Sequence, residues 1–245
     1  LFDREKNRIY PNEYGKLYLK YIDQALFNIE HGRESVQKMQ LRKNNLISMA
    51  ASHSRLWKDM AVSFMQSHPP IYVKFKPEHL ETYQKHLEDR TLDFVITGTE
   101  DLSSPRLASK EIRSLHLCLV APVDHPLAKR ESISLHDLNG QPYVDLAEGL
   151  SFRQYCDRIF EANRVQINRV FECEAEARPA IIMDGAGIGV TPDHEMMKKP
   201  YQGLAFVPIR EPDIQRSISL FWLKDRELSP ILQDFIAFVL QWLSP

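Results

Sequence analysis

Apolar residues recur at alternating steps of four and three positions through residues 13–43, a stretch that contains no proline. The stripe comprises Tyr18, Ile22, Ala25, Ile29, Val36 and Met39, and Gly32 occupies its one missing step. A mean period of 3.5 residues predicts a helix whose narrow face packs along another helix. Asn12 is suited to cap its first turn. We expect the partner helix in a second copy of the chain, and packing on its own domain is the alternative.

Beyond residue 43, short apolar runs alternate with amphipathic stretches. We predict strands at 46–51, 71–75 and 92–97, separated by helices at 55–67 and 79–88. Strands alternating with helices of this length favour a parallel sheet with right-handed crossovers. We also predict a strand at 115–122, a second β/α unit from 141 with a helix at 151–163, a helix at 178–184, strands at 188–190, 204–209 and 216–223, and a final helix at 229–243. The predicted fold class is therefore α/β.

The composition is that of an ordinary globular chain, with 43% hydrophobic and 26% charged residues among 245. These proportions exclude a disordered, collagen-like or membrane-spanning protein. The net charge is −2, but residues 1–43 hold nine basic and six acidic side chains, whereas the remainder hold 22 and 27. A basic end of this kind is typical of an arm that faces nucleic acid.

The three cysteines form no C-x-x-C pair, and residues 1–6 do not begin a signal peptide. We therefore expect free thiols and a cytoplasmic protein. The glycines at 185, 187 and 189 follow a predicted helix and precede a strand, the reverse of a phosphate-binding loop. His79, His86 and His194 lack the further ligands of a zinc site. The sequence contains no recognisable catalytic motif, and we expect neither metal nor cofactor.

Polar residues follow the ends of several predicted strands. They are Ser52, His53 and Ser54 after the first strand, Thr97 and Gly98 after the third, Ser151 at a helix start, and Thr191 near the end of the 188–190 strand. In doubly wound sheets ligands bind in the crevice beyond the carboxyl ends of the strands. Helix starts there favour an anion, although each serine could simply cap its helix.

Several short motifs occur in a fixed order along the chain. They are Leu1-Phe2-Asp3-Arg4 with the turn up to Gly15, Leu92-Asp93-Phe94-Val95-Ile96-Thr97-Gly98, His125-Pro126-Leu127, Asp137-Leu138-Asn139-Gly140-Gln141-Pro142, and Gly185-Ala186-Gly187-Ile188-Gly189-Val190-Thr191-Pro192. Their order resembles that of the same motifs in LysR-type transcriptional regulators. Pro11 and Asn12 replace the Leu and Thr usual in this family. The motifs extend over nearly the whole chain in the family's order, which makes the combination specific although each one alone is weak.

The resemblance implies a two-lobed effector domain like the type 2 periplasmic binding proteins, preceded by a linker helix. The domains would be the wing of a helix-turn-helix domain at 1–15, a dimerisation helix at 16–43, lobe one at 44–120 and 224–245, and lobe two at 121–223. The effector contacts implied by position are Ser52, His53, Ser54, His79 or Leu80, Thr97, Gly98, Ser151 and Thr191. Arg4, Lys6 and Arg8 would contact the DNA backbone.

We therefore expect a ligand-responsive regulator without catalytic activity, assembled as a homodimer or homotetramer and not bound to membranes. Promoter DNA would be held by a helix-turn-helix preceding residue 1, so this stretch alone should not bind an operator specifically. The effector would be a small organic anion, unless Asp145, Glu148, Glu174 and Glu176 face the cleft and favour a cation or neutral ligand. The alternatives are a solute-binding protein for transport and an enzyme that uses Asp193, His194 or Glu195.

Overall fold

The computed structural model describes residues 1–5, 8–52, 54–75, 79–194 and 201–242. The chain forms two compact units, of which the first is Leu1–Leu46 and the second begins at Ile47. The first unit is a hairpin followed by a long helix. The second unit is an α/β structure and contains the other strands and helices that the structure describes.

The hairpin pairs β1 (Phe2–Glu5) with β2 (Arg8–Pro11) in antiparallel fashion, and the helix α1 spans Glu13–Asn44. The side chain of Asn12 accepts a hydrogen bond from the Gly15 amide at 2.9 Å, which confirms the predicted cap. Along the seam, Tyr18, Ile29 and Val36 are each more than half exposed. The backbone of Met39 is helical, but its side chain lies outside the described part. Exposed apolar side chains in a row are typical of a surface that contacts another protein segment, and the pairing of α1 with a second copy stays a prediction.

The elements of the second unit follow the predicted alternation of strands and helices. They are β3 (Leu46–Ala51), α2 (Ser54–Ser67), β4 (Tyr72–Phe75), α3 (Leu80–Glu88), β5 (Phe94–Gly98), β6 (Leu107–Pro122), β7 (Pro142–Leu146), α4 (Ser151–Ala162), β8 (Asn168–Cys173), α5 (Arg178–Met183), β9 (Gly189–Pro192), β10 (Leu204–Pro208), β11 (Gln215–Leu223) and α6 (Pro230–Trp242). Two short 3₁₀ helices, Pro126–Lys129 and Leu135–Leu138, precede β7.

The main sheet has the strand order β10-β6-β11-β5-β3-β4, and β9 also pairs with β6. The β3–β5 pair is parallel as predicted, whereas β11 runs antiparallel to both β5 and β6. The strands β7 and β8 form a separate parallel pair. The 16-residue β6 is much longer than the predicted strand at 115–122, because its first half pairs with β11.

The second unit has two main hydrophobic cores, which define two lobes. Trp57, Phe64, Phe94 and Phe235 belong to the first, while Tyr143, Phe160, Ile188 and Val190 belong to the second. Leu115 and Leu117 lie two positions apart in β6. Leu115 packs in the first core and Leu117 packs in the second. Because β6 and β11 pair along the passage between the cores, the two lobes are joined by two crossing strands.

Strand β11 packs with the first lobe, although the predicted boundary assigned every residue up to 223 to the second. Its inward residues Ile218 and Leu220 are fully buried in the first core. The reason is its antiparallel pairing with β5, a central strand of that lobe.

Two properties of the described helices and cysteines bear on the predictions above. No described helix is long and apolar enough to cross a membrane. All three cysteines are free thiols, and Cys118 and Cys156 are buried. Burial raises the pKa of the Cys156 thiol to about 12.

The elevated pKa of Cys156 predicts a thiol that is inert while the protein is folded. Only the thiolate reacts with alkylating agents, and its fraction at pH 8 is far below that of an exposed cysteine. We expect Cys156 to react with iodoacetamide at pH 8 at least a hundredfold more slowly in the native protein than in 6 M urea. Peptide mapping by mass spectrometry measures both rates, and equal rates would show that the site is open to solvent.

Candidate functional site

Four hydrogen-bond donors from both lobes converge on a single oxygen atom, Oδ2 of Asp101. They are Thr97 Oγ1 at 2.5 Å, the Gly98 amide at 2.9 Å, Ser151 Oγ at 2.5 Å and Arg216 Nη2 at 2.7 Å. We call these five residues the Asp101 cluster. Strand β5 and the turn after it supply Thr97, Gly98 and Asp101, α4 supplies Ser151, and β11 supplies Arg216. The cluster therefore lies where the two lobes meet.

The guanidinium of Arg216 is held from several sides, and its side chain is 0% exposed. Besides Asp101, it donates to Ser151 Oγ at 2.6 Å and pairs with the carboxylate of Glu100. Its Cζ lies 4.6 Å from the centre of the Tyr155 ring, a cation–π distance. Burial raises the pKa of Tyr155 to about 12, so this ring remains neutral at physiological pH. The guanidinium is thus held in a fixed position, with the carboxylates of Asp101 and Glu100 as its acidic partners.

Local geometry explains why a glycine ends β5. The five residues of this strand are buried, and a Cβ at Gly98 would overlap the guanidinium of Arg216. The Gly98 amide is thereby free to reach Asp101, whose own amide donates back to the Gly98 carbonyl at 3.0 Å. Any larger side chain at position 98 would push Arg216 out of the cluster.

Ser151 does not cap its helix. The N-cap of α4 is Leu150, without a side-chain cap, and the Ser151 hydroxyl donates to Asp101 instead. Its oxygen lies 3.0 Å from Thr97 Oγ1 on the other lobe. The positive end of the α4 dipole adds to the attraction for a negative charge at this point.

A second contact joins the lobes at predicted site residues. The Leu80 amide donates to the Gly149 carbonyl at 3.3 Å, and His79 Nδ1 is 3.1 Å from the position that a Cβ of Gly149 would take. Gly149 has a φ of +83°, which disfavours any other residue there. His79 therefore lies against the second lobe.

The structure brings Thr97, Gly98 and Ser151 together but does not join every predicted residue to them. The Ser52 amide donates to the Ile96 carbonyl at 2.9 Å, and its buried Oγ has no hydrogen-bond partner among the described residues. Thr191 is 4% exposed in β9, and within the described ranges no hydrogen bond links it to the Asp101 cluster. His53 and the Ser54 side chain lie outside the described part of the chain.

One of the acidic residues considered above, Asp145, is already paired with arginines. Asp145 is 1% exposed, and its Oδ2 pairs with Arg169 Nε at 2.8 Å and Arg153 Nε at 3.3 Å. Its charge is neutralised within lobe two and is unavailable to a ligand. Among the described residues no group of three or more His, Cys, Asp and Glu side chains is placed to hold a metal ion.

Sequence reasoning missed Asp101 and Arg216, the two charged members of the cluster. A signal for Arg216 is present, because it alternates with Ile218 and Leu220 and so shares the inward face of β11. A charged side chain on the buried face of a strand requires a partner of opposite charge. The identity of that partner, 115 positions away in sequence, depends on how the strands cross.

Two lobes connected by crossing strands, with polar groups converging between them, define a two-lobed ligand-binding domain. The model of the LysR substrate binding domain family matches residues 43–244. The chain therefore belongs to the LysR family, as the motifs indicated. The HTH-type transcriptional regulator YybE of Bacillus subtilis is 29% identical over the whole chain and 84% of that relative.

Solved structures confirm the predicted fold class. The BenM effector binding domain with its effector benzoate has a TM-score of 0.68 at 17% identity, covering 80% of this chain and 91% of that one. Full-length CbnR complexed with its target DNA has a TM-score of 0.69 at 17% identity, covering 89% and 81%. The second unit thus has the fold of LysR effector-binding domains, which is like that of type 2 periplasmic binding proteins.

Proposed function

We propose that this chain is the effector-sensing and oligomerisation part of a LysR-type transcriptional regulator. A small-molecule effector binds between the lobes, and α1 pairs two copies through its seam. Promoter DNA is held by a helix-turn-helix preceding residue 1, with the β1–β2 hairpin as its wing. Arg4, Lys6 and Arg8 contact phosphates, which position a protein without reading sequence. Lys6 and the side chain of Arg8 lie outside the part of the chain that the structure describes.

The Asp101 cluster is the observation that carries the sensing part of the proposal. Thr97 and Ser151 belong to different lobes and share one acceptor, so an occupant of this position interacts with both lobes at once. A ligand with unequal affinity for two lobe arrangements shifts their populations. Coupling between a ligand site and a distant DNA-binding part is typically about 1–3 kcal/mol.

The effector that best fits this site is a small organic anion. The four groups that surround Asp101 Oδ2 are two hydroxyls, an amide and a guanidinium, which all donate to a carboxylate oxygen. The described acidic network at Asp145 is already neutralised by arginines. BenM, whose effector domain shares this fold, was solved with benzoate, a carboxylate.

The relatives named above are transcriptional regulators, which supports a regulator over a solute-binding protein for transport. We propose that the chain catalyses no reaction and acts in the cytoplasm. Asp193 and His194, considered with Glu195 as the acid or base of an enzyme, follow β9, and Glu195 lies outside the described residues.

A thermal-shift screen tests the site directly. The parent protein is assayed with small carboxylates, amino acids, aromatic acids and sugars, beside Thr97→Val and Ser151→Ala. We expect a carboxylate to raise the Tm of the parent as RT ln(1 + [L]/Kd) requires. Each variant should weaken binding about tenfold or more, because a charge-assisted hydrogen bond is worth about 1.5–3 kcal/mol.

Matched controls are Thr99→Val and Ser114→Ala. The Thr99 hydroxyl is hydrogen-bonded to Ser219, and the Ser114 hydroxyl to Ser217. Each control variant therefore deletes a hydroxyl whose hydrogen bond lies outside the cluster. A ligand that binds all four variants equally would place the effector site elsewhere. A second assay uses the protein with its helix-turn-helix attached. A ligand that binds the cluster but leaves DNA affinity and DNA bending unchanged would show that effector binding does not control DNA binding.

A further inference from the structure

We propose that the four donors around Asp101 Oδ2 form a carboxylate site which the chain's own Asp101 fills, and that a carboxylate effector binds by replacing it. The inference rests on the proposed effector function and specifies how the ligand enters. Asp101 is then an internal competitor that sets the affinity for the effector.

The two oxygens of Asp101 have very unequal surroundings. Oδ2 accepts four hydrogen bonds, whereas Oδ1 is buried and has no hydrogen-bond partner among the described residues. A structural carboxylate would distribute its donors over both oxygens, because an unpaired buried acceptor is unfavourable. The donors are therefore arranged around one oxyanion position and leave the rest of the Asp101 carboxylate unsatisfied.

The charges in the cluster determine what can replace Asp101. Arg216 is fully buried, and an uncompensated charge there is strongly unfavourable. Its other carboxylate partner, Glu100, is 42% exposed and is also 3.3 Å from Arg158. Exchange of Asp101 for another carboxylate conserves the charge beside Arg216, whereas a neutral or cationic ligand would leave only the partly exposed Glu100 to balance it.

The position of Asp101 permits the exchange. It lies in the turn between β5 and β6, outside both strands, while Thr97 and Arg216 are fixed within β5 and β11. Its backbone is held by the hydrogen bond from its amide to the Gly98 carbonyl. The donors therefore belong to rigid elements and their present acceptor belongs to a connecting segment, which is the more adaptable part of a fold.

Removal of Asp101 tests the inference by chemical rescue. In Asp101→Ala the donors remain and the internal carboxylate is lost. Acetate is the probe, titrated against Tm at constant ionic strength with chloride as the balancing anion. We expect Asp101→Ala to have a lower Tm than the parent and to bind acetate at least tenfold more tightly, because the competing state is removed. Adding Ser151→Ala should reduce this gain.

Asp213→Ala is the matched control, since it removes an exposed carboxylate outside the cluster and should leave the acetate response at the parent level. Asp101→Asn provides a second variant that keeps the side-chain volume, loses the charge and replaces one carboxylate oxygen by an NH2 donor. It should show the same direction of change by isothermal titration calorimetry, even if Asp101→Ala folds poorly.

The outcomes separate this inference from the proposed function. Equal acetate affinity in the parent, Asp101→Ala and Asp101→Asn would overturn the exchange. If an effector from the screen still required Thr97 and Ser151, the effector site would stand and only the displacement of Asp101 would be wrong. If acetate bound Asp101→Ala tightly and no effector depended on the cluster, the carboxylate site would exist without the sensing role.

Discussion

Arg216→Met should lower the free energy of unfolding by about 3–5 kcal/mol, the cost of removing one partner of a buried ion pair. The carboxylate of Asp101 would remain buried without its cation, since both side chains are 0% exposed. Globular domains have a total stability of only about 5–15 kcal/mol, so the loss is a large share. Urea denaturation with linear extrapolation measures it.

The double variant Arg216→Met/Asp101→Asn removes both charges of that pair. It should be about 2 kcal/mol more stable than the sum of the single effects predicts, because contacting residues are not additive. Arg158→Met is the control, as it deletes a half-exposed arginine that contacts the same Glu100 and should cost less than about 1 kcal/mol. Equal losses in Arg216→Met and Arg158→Met would contradict the central role of Arg216.

Ile22→Asp combined with Ile29→Asp should break the assembly formed through α1. Both residues lie on the exposed seam, where the proposed dimer would bury them against a partner helix. A carboxylate buried there without a partner costs several kcal/mol, and every 1.4 kcal/mol weakens association tenfold. We expect the parent to sediment as a dimer or larger assembly, and the variant to lose at least half of that mass.

Gln24→Asp is the matched control for the helix. It introduces the same residue at an exposed position two steps from the seam residue Ile22, on the opposite face. This variant should sediment like the parent. A parent that is monomeric at 50 µM, or a seam variant with unchanged mass, would show that α1 is not the assembly surface.

Periodicity predicted most elements of the fold because most have one buried face or are wholly buried. The strand at 92–97 and the helix at 151–163 match β5 and α4 to within two residues at either end. Strand β8 was not predicted. Its adjacent Val170 and Phe171 are both about half exposed, so this edge strand lacks the alternation on which a prediction depends.

The sequence predicted the site residues that lie at strand ends. It did not predict the residues that meet only because the strands joining the lobes pair with one another. Thr97, Gly98 and Ser151 follow from the rule that ligands meet the carboxyl ends of strands. The pairing of Arg216 with Asp101 requires knowing that β11 lies beside β5, an antiparallel neighbour which interrupts the parallel pattern. Local sequence does not specify such a neighbour.

The second lobe has the connectivity of an inserted cassette. The chain leaves the first lobe along β6 and returns along β11, and His116 is paired directly with Gln215 across these strands. Its two ends are therefore adjacent, the arrangement in which whole segments are most readily exchanged between proteins. A different second lobe could be acquired at this junction with little disturbance of the first, giving evolution a simple means of changing the recognised molecule while the helix and the first lobe persist.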